Sequence, residues 1–312
     1  MEVLKFFENL RTPFFNQFFS IITHLGEETF FIAIGMFYYW CINKRKGYFI
    51  LSVGFLGTLA NQVLKLFFRI PRPWVKDKGF TIVESARAEA TGYSFPSGHT
   101  QSGVGVLGGI TVLEKKLWVK FICVVFAILV PISRLYLGVH TLLDVAVSFF
   151  LAGILIAILY PVIFKLTETK KGMRIFFTGL TLIALGCILF GEFYNFPGDV
   201  DVTNYENSLK TIYKISGCVL GLWLSYELDE KYLHFDTKAS WWLQIVKLVI
   251  GFALVMGVKS GLKPVLALVF GNLALANGIR YFIVTVFGGF VCPLIFKFIL
   301  DVVKRGGKNG EE

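Results

Sequence analysis

The sequence predicts an all-α fold, a polytopic membrane helical bundle of about nine transmembrane helices. Of its 312 residues, 55% are apolar and 17% are charged, and the mean hydropathy is +0.66. These values lie far outside the range of soluble globular domains. A bilayer crossing needs about 20 mostly apolar residues. The predicted spans are 18–41, 48–68, 98–113, 117–136, 141–164, 174–192, 211–227, 241–259 and 279–303.

The stretches around these spans suggest how the chain is organised. Residues 1–17 mix aromatic and polar side chains, which is typical of an interfacial helix. Residues 260–278 are apolar and rich in Gly, Leu and Ala, and form either a re-entrant piece or a short extra helix. We expect a motif-bearing core of five transmembrane helices at 1–165 and a membrane extension of about four at 166–312.

The formal charge of +10 indicates membrane orientation rather than a nucleic-acid partner, because Lys and Arg cluster in short connections between apolar segments. The basic connections at 43–46, 114–116 and 165–174 are expected in the cytoplasm, and the acidic loop at 192–208 on the opposite side. The sequence therefore predicts a multi-pass cell-membrane protein, with residues 69–97 on the extracytoplasmic side. It predicts nothing about oligomeric state.

Lys65 and Arg72 form the first of three charged motifs. They are two helical turns apart, and Pro71 and Pro73 indicate that the helix ends close to Arg72. A guanidinium fork and an ammonium group can hold one phosphate from two sides. A cation within an apolar segment is costly and favours a functional interpretation.

The second motif is Pro96-Ser97-Gly98-His99, at the start of a predicted helix. Gly98 allows close backbone approach, and the first N–H groups of a helix point at an anion there. The Ser97 hydroxyl can add a donor. His99 can protonate a leaving oxygen, because its ordinary pKa lies near working pH.

The third motif is Ser133-Arg134 followed by His140 and Asp144. Asp144 is one helical turn after His140, so its carboxylate can accept a hydrogen bond from one imidazole nitrogen. The other nitrogen then keeps a lone pair for attack on phosphorus. With Arg134 as a third cation, the motifs contain what a phosphoryl transfer through a phosphohistidine needs, without a metal or other cofactor.

These three motifs resemble the signature of the type 2 phosphatidic acid phosphatase (PAP2) superfamily over residues 65–144. The resemblance implies that His140 is the nucleophile, Asp144 its orienting carboxylate and His99 the general acid. It also implies that the reaction uses no metal. The residues that it implies bind the phosphate are Lys65, Arg72, Ser97, Gly98 and Arg134. The long second half resembles the sphingosine-1-phosphate phosphatase branch and glucose-6-phosphatases.

The predicted function is hydrolysis of a phosphomonoester or pyrophosphate of an amphiphilic lipid, so a phosphorylated lipid and the bilayer are the expected partners. The alternatives are a transporter or flippase for a phosphorylated lipid, a sugar-phosphate phosphatase, and oxidative chemistry with bound vanadate. Glu27, Glu28 and His24, near the outer end of the first span, are possible headgroup contacts or structural groups that pair with a cation such as Arg280.

Overall fold

A computed structural model describes residues 1–198, 200–271 and 273–308, with side chains as far as Asp301. Every regular element in this part of the chain is helical, which confirms the predicted all-α class. The α-helices are α1 Glu2–Asn9, α2 Pro13–Thr23, α3 Glu28–Phe37, α4 Lys44–Phe68, α5 Pro73–Lys76, α6 Gly98–Leu113, α7 Leu117–Tyr136, α8 Leu142–Lys165, α9 Lys170–Phe193, α10 Val202–Leu228, α11 Trp241–Phe270, α12 Ala274–Val286 and α13 Cys292–Lys308.

Six helical stretches of the described chain are long and apolar enough to cross a bilayer, and a seventh is possible if one bent pair is a single span. The bent pair joins Pro13–Gly26 to Glu28–Ile42 at 53°. The six are Lys44–Lys76, Leu117–Tyr136, Leu142–Glu168, Lys170–Phe193, Trp241–Phe270 and Ala274–Asp301. The predicted count of about nine is therefore not confirmed.

Two predicted spans, 98–113 and 211–227, account for the difference between the nine predicted spans and the seven that include the bent pair. Helix α6 has 16 residues, so it is about 24 Å long, shorter than a hydrocarbon core of about 30 Å. Helix α10 is long enough, but polar and charged residues such as Lys210 and Lys214 interrupt its apolar sequence. Both helices are largely buried by their neighbours, so they need not present an apolar surface to lipid.

The ends of two other predicted spans also differ from the sequence prediction. The first span is not one straight helix, because a tight turn at His24–Gly26 separates α2 from α3. Helix α11 continues through Pro264 to Phe270. Most of residues 260–278, for which the sequence left two possibilities, therefore extends the preceding helix.

The two halves of the chain form one packed bundle. Buried aromatic groups of the first half donate to carbonyls of the second: Tyr39 Oη to Gly289 O at 2.8 Å and Trp40 Nε1 to Gly288 O at 2.9 Å. Lys44 Nζ lies 2.5 Å from Asp229 Oδ2. These contacts hold α10 and the segment after α12 against the core.

The closest helix pair is α10 with α12. A Cβ atom added at Gly217 would lie 2.1 Å from the carbonyl oxygen of Gly278, and one added at Gly221 would lie 2.7 Å from that of Phe282. Only glycine permits this approach, which is a common way for membrane helices to pack. The extension is therefore tightly packed around α10, the helix that also reaches the site described next.

Candidate active site

A polar cavity of about 380 Å³ lies where α4 ends, α6 begins and the chain enters α8. Residues of all three charged motifs line this cavity. They are Lys65, Arg72, Gly98, His99 and His140. The fold thus brings the three motifs together at one place.

Arg72 is fixed in the cavity wall by backbone carbonyls. Its Nε donates to Gly92 O at 3.0 Å, its Nη2 to Thr91 O at 2.7 Å and its Nη1 to Val139 O at 2.9 Å. These contacts come from the loops before α6 and before α8. The guanidinium is therefore positioned in advance, which lowers the entropy cost of binding an anion.

Helix α4 ends sooner than the prolines indicate. Its last residue is Phe68, and Arg69 adopts the left-handed conformation with φ of 48°. Lys65 and Arg72 therefore do not share a helical face. Instead Lys65, buried in the last turn of α4, donates to the carbonyl oxygen of Tyr93, in the same loop that holds Arg72.

Arg134 lies behind the cavity wall with a side chain that is 0% exposed. Its Nη1 donates to Thr23 Oγ1 at 2.6 Å. Its Nε and Nη2 have no hydrogen-bond partner among the described residues. A buried guanidinium with free N–H groups is costly, so this residue is suited to complete its hydrogen bonds with an anion.

His140 lies between a cation and a carboxylate. Its Nε2 is 2.9 Å from Arg72 Nη1, and its Nδ1 is 3.4 Å from Asp144 Oδ2. Because an arginine N–H can only donate, Nε2 is assigned the lone pair and Nδ1 the proton. The longer contact is not yet a formed hydrogen bond, as is common in catalytic sites before substrate binds.

Asp144 is itself held by two donors. Its Oδ2 accepts from Ser94 Oγ at 2.6 Å and from the Thr141 N–H at 2.8 Å. The second contact belongs to a capping box, in which Thr141 Oγ1 in turn accepts from the Asp144 N–H. The start of α8 therefore fixes the carboxylate that faces His140.

Burial lowers the pKa of His140 well below its ordinary value, and the positive charges of Arg72, Arg134 and Lys65 lower it further. Burial and like charge both disfavour the imidazolium form. The imidazole is therefore neutral at physiological pH, which is the form that carries a nucleophilic lone pair.

Ser97 lies behind the wall and connects two helices. Its Oγ accepts from the Thr100 N–H at 3.4 Å, and its own N–H donates to Asp144 O at 3.2 Å. The N–H groups left to face an anion at the start of α6 are thus those of Gly98 and His99. Ser97 can still offer its hydroxyl proton.

His99 is directed into the cavity and is packed from behind. Its Nε2 is buried and has no partner within the described part of the chain. The turn at Gly26 lies against its backbone, where an added Cβ would come within 2.5 Å of His99 O. The side chain is thus in place to exchange a proton with a bound group.

Of the three possible headgroup contacts, Glu27 and Glu28 line the cavity. His24 Nδ1 contacts Glu27 Oε1, and the His24 side chain is 62% exposed. Glu28 Oε2 lies 2.5 Å from Lys214 Nζ of α10. Its cationic partner is therefore Lys214, whereas Arg280 Nη2 donates to Asn277 Oδ1 at 2.9 Å.

The structure adds residues that the sequence analysis missed. The side chains of Asn61 and Gln101 line the cavity, and among the described residues they have no partner. Asn61 is one turn before Lys65 on α4, so helical periodicity could have found it. Ser94 and Lys214 gave no comparable signal, because one is in an irregular loop and the other in a distant helix.

The fold and the cavity define a polytopic membrane protein with a cavity lined by arginine, lysine and histidine side chains. The chain belongs to the PAP2 superfamily: residues 45–168 match that family, and residues 213–302 match the family described as "PAP2 superfamily phosphatase, transmembrane extension".

Curated relatives of two kinds are similar to this chain. Sphingosine-1-phosphate phosphatase 1 of Mus musculus is 26% identical over 264 residues, covering 79% of this chain and 59% of the relative. Sphingosine-1-phosphate phosphatase 2 of the same species is 24% identical, covering 70% and 61%. The chain thus spans about three fifths of the length of these relatives. Phosphatidylglycerophosphatase B of Bacillus subtilis (strain 168) is 34% identical over 164 residues, covering 47% and 74%. No solved structure matches the chain.

Proposed function

We propose that this protein is an integral-membrane phosphatase that hydrolyses a phosphomonoester or pyrophosphate of an amphiphilic lipid. The observation that carries the proposal is the placement of His140 between Arg72 and Asp144 at the wall of a cationic cavity. The relatives, a sphingosine-1-phosphate phosphatase and a phosphatidylglycerophosphatase among them, support the same reaction class.

In the first step, the phosphate oxygens contact Lys65, Arg72 and Arg134 and the N–H groups at the start of α6. Nε2 of His140 attacks phosphorus in line while the bond to the leaving oxygen breaks. His99, protonated once the phosphate dianion is bound beside it, gives its proton to that oxygen, and the Asp144 carboxylate stabilises the His140 imidazole as it becomes positive.

In the second step, water attacks the phosphohistidine and the P–N bond breaks. His99, now neutral, accepts a proton from this water. His140 leaves as a neutral imidazole and inorganic phosphate is released. The three buried cations balance the charge that Mg²⁺ balances in many other phosphoryl transfers, so the proposed reaction needs no metal.

We further propose that the cavity opens on the extracytoplasmic side of the cell membrane. The basic connections at 43–46 and 165–174 support this orientation. If the bent pair is one span and α6 and α10 are buried crossing helices, the spans number nine and both connections lie on one side. Residues 1–165 then form the catalytic core and residues 166–312 its membrane extension.

The test is phosphate release by the purified protein in detergent, with and without a chelator, compared with His140→Ala. Suitable substrates are phosphatidic acid, sphingosine-1-phosphate, an isoprenyl pyrophosphate, phosphatidylglycerophosphate and glucose-6-phosphate. We expect release from a lipid phosphate that survives the chelator and is lost in His140→Ala. Release that is unchanged in His140→Ala would contradict the proposal.

The same measurement separates the alternatives. Preferred hydrolysis of glucose-6-phosphate would indicate a sugar-phosphate phosphatase. A folded protein that binds vanadate, releases no phosphate and moves a labelled lipid phosphate across vesicles would indicate a transporter.

A further inference from the structure

A second cavity, of about 410 Å³, lies beside the catalytic one and has a different lining. It is enclosed by α3, α4, α10, α11 and α12, so both halves of the chain contribute to it. Its walls are mainly apolar and include Ile32, Ala33, Phe55, Phe252, Val255 and Val284. We refer to it as the apolar cavity.

The two cavities adjoin each other, since Glu28, Thr29 and Lys214 line both of them. The Glu28–Lys214 ion pair therefore marks the boundary at which charged walls give way to hydrocarbon. A molecule with a phosphate at one end and an alkyl chain at the other matches this change of lining.

The apolar cavity also reaches the flank of the bundle. Met256 of α11 lines it and is 51% exposed, and most of α11 is exposed to the surroundings of the bundle. In a bilayer, this flank contacts lipid. A hydrocarbon chain could therefore enter sideways from the membrane without crossing water.

We propose that the apolar cavity binds the hydrocarbon chain of the substrate while its phosphate lies against His140. The Glu28–Lys214 pair then contacts the polar segment that joins phosphate to chain. This inference rests on the proposed function and assigns the extension a role in substrate selection.

The size of the apolar cavity favours substrates with one chain. A methylene is close in size to a water molecule, which occupies about 30 Å³ in the liquid. A volume of about 410 Å³ therefore corresponds to one chain of roughly a dozen carbons. A lipid with two chains must leave one of them outside in the bilayer.

The first test compares short-chain and long-chain alkyl phosphates as substrates of the wild type and of Ala33→Phe. Ala33 lines the apolar cavity from α3, so a phenyl ring there takes up volume. We expect the ratio of kcat/KM for a long chain to that for a short chain to fall about tenfold or more, since each buried methylene contributes about fourfold. Val255→Phe, from α11, should act in the same direction.

Ala253→Phe is the matched control. Ala253 is on the same helix as Val255 but is exposed and outside the cavity, so the ratio should not change. Equal ratios in the wild type, Ala33→Phe and Val255→Phe would overturn the inference while leaving the phosphatase intact. An absence of hydrolysis of every substrate by the wild type would instead count against the proposed function.

A second measurement does not depend on turnover. A long-chain alkyl phosphonate with a photoreactive group at the chain end is bound to His140→Ala and illuminated. We expect labelled peptides from α11 and α12, reduced by Ala33→Phe and unaffected by Ala253→Phe. Labelling spread over the outer faces of α7 and α9 would show binding to the general lipid-facing surface and would contradict a defined chain site.

Discussion

The catalytic cavity and the apolar cavity share a wall but depend on different kinds of interaction. In the first, the functional groups Arg72, Asp144 and Lys65 are each fixed by named hydrogen bonds to the loop before α6 or its neighbours. In the second, the lining is a set of interchangeable apolar side chains. We therefore propose that the position of side chains controls binding of the phosphate, whereas the volume of the apolar cavity controls binding of the hydrocarbon chain.

This difference predicts how substitutions should behave. Where a side chain acts through one directed contact, an isosteric change should have a large effect on rate. Where it acts by filling space, the effect should scale with the methylenes changed.

Asp144→Asn should lower kcat about 10²- to 10⁴-fold, because the amide keeps the shape of the side chain but removes the charge that orients and stabilises His140. Steady-state kinetics with the preferred substrate measures the loss, and vanadate affinity should change much less. A kcat within a few-fold of wild type would remove Asp144 from the mechanism.

Arg72→Lys should lower kcat/KM about 10- to 100-fold, although the charge is kept. A lysine cannot reproduce the contacts to Thr91, Gly92 and Val139 while also reaching a phosphate. Arg87→Lys is the control, since Arg87 pairs with Glu84 in an exposed part of the same loop. Equal kinetics for both variants would show that the position of the Arg72 guanidinium is unimportant for binding the phosphate.

His140 should titrate well below pH 6.5, because burial and three cations lower its pKa. At pH 6.5 an unperturbed imidazole is about half protonated, whereas His140 should remain mostly neutral. Nitrogen-15 histidine NMR measures this directly, with His140→Ala to assign the signal. A midpoint near 6.5 would contradict the described electrostatics.

Ser94→Ala should lower kcat about fivefold by removing one of the two hydrogen bonds that hold the Asp144 carboxylate. KM should change little, because Ser94 does not line the cavity. Ser85→Ala, which removes an exposed contact with Ser20, should leave kcat unaffected. A change in KM alone would show that Ser94 acts on binding rather than on Asp144.

Ile32→Val should change kcat/KM for a long-chain substrate by about fourfold or less, the contribution of one methylene. It lies in the apolar cavity and is the smallest change considered. A loss of kcat/KM as large as that of Arg72→Lys would mean that the apolar cavity also depends on directed contacts. The proposed difference between the two cavities would then be wrong.

The sequence could predict the phosphate end because cations and histidines are rare within apolar segments. The motifs identified Lys65, Arg72, Gly98, His99 and His140, all of which line one cavity. Asn61 lies one turn before Lys65 on the same face of α4 and could have been added by the same argument. Ser94 could not, because its contact with Asp144 depends on the path of an irregular loop.

The apolar cavity could not be predicted from the sequence, for a physical reason. Ile32, Val255 and Val284 have the composition of any membrane helix, and only packing decides which apolar residues enclose a cavity. The same limit applies to the count of spans, since α6 and α10 are covered by neighbouring helices and are not apolar along their whole length. Lys214 shows this most clearly, because its role at the boundary depends on α10 packing against the core.

The central claim is that His140 becomes phosphorylated during turnover. A rapid-quench experiment with a labelled lipid phosphate, in the presence of a chelator and followed by peptide mapping at alkaline pH, tests it most directly. The account predicts an acid-labile phosphate on the peptide that contains His140, with a larger amount in His99 variants that are slow in the second step and none in His140→Ala. Turnover without a phosphorylated intermediate, or label on a different residue, would contradict it.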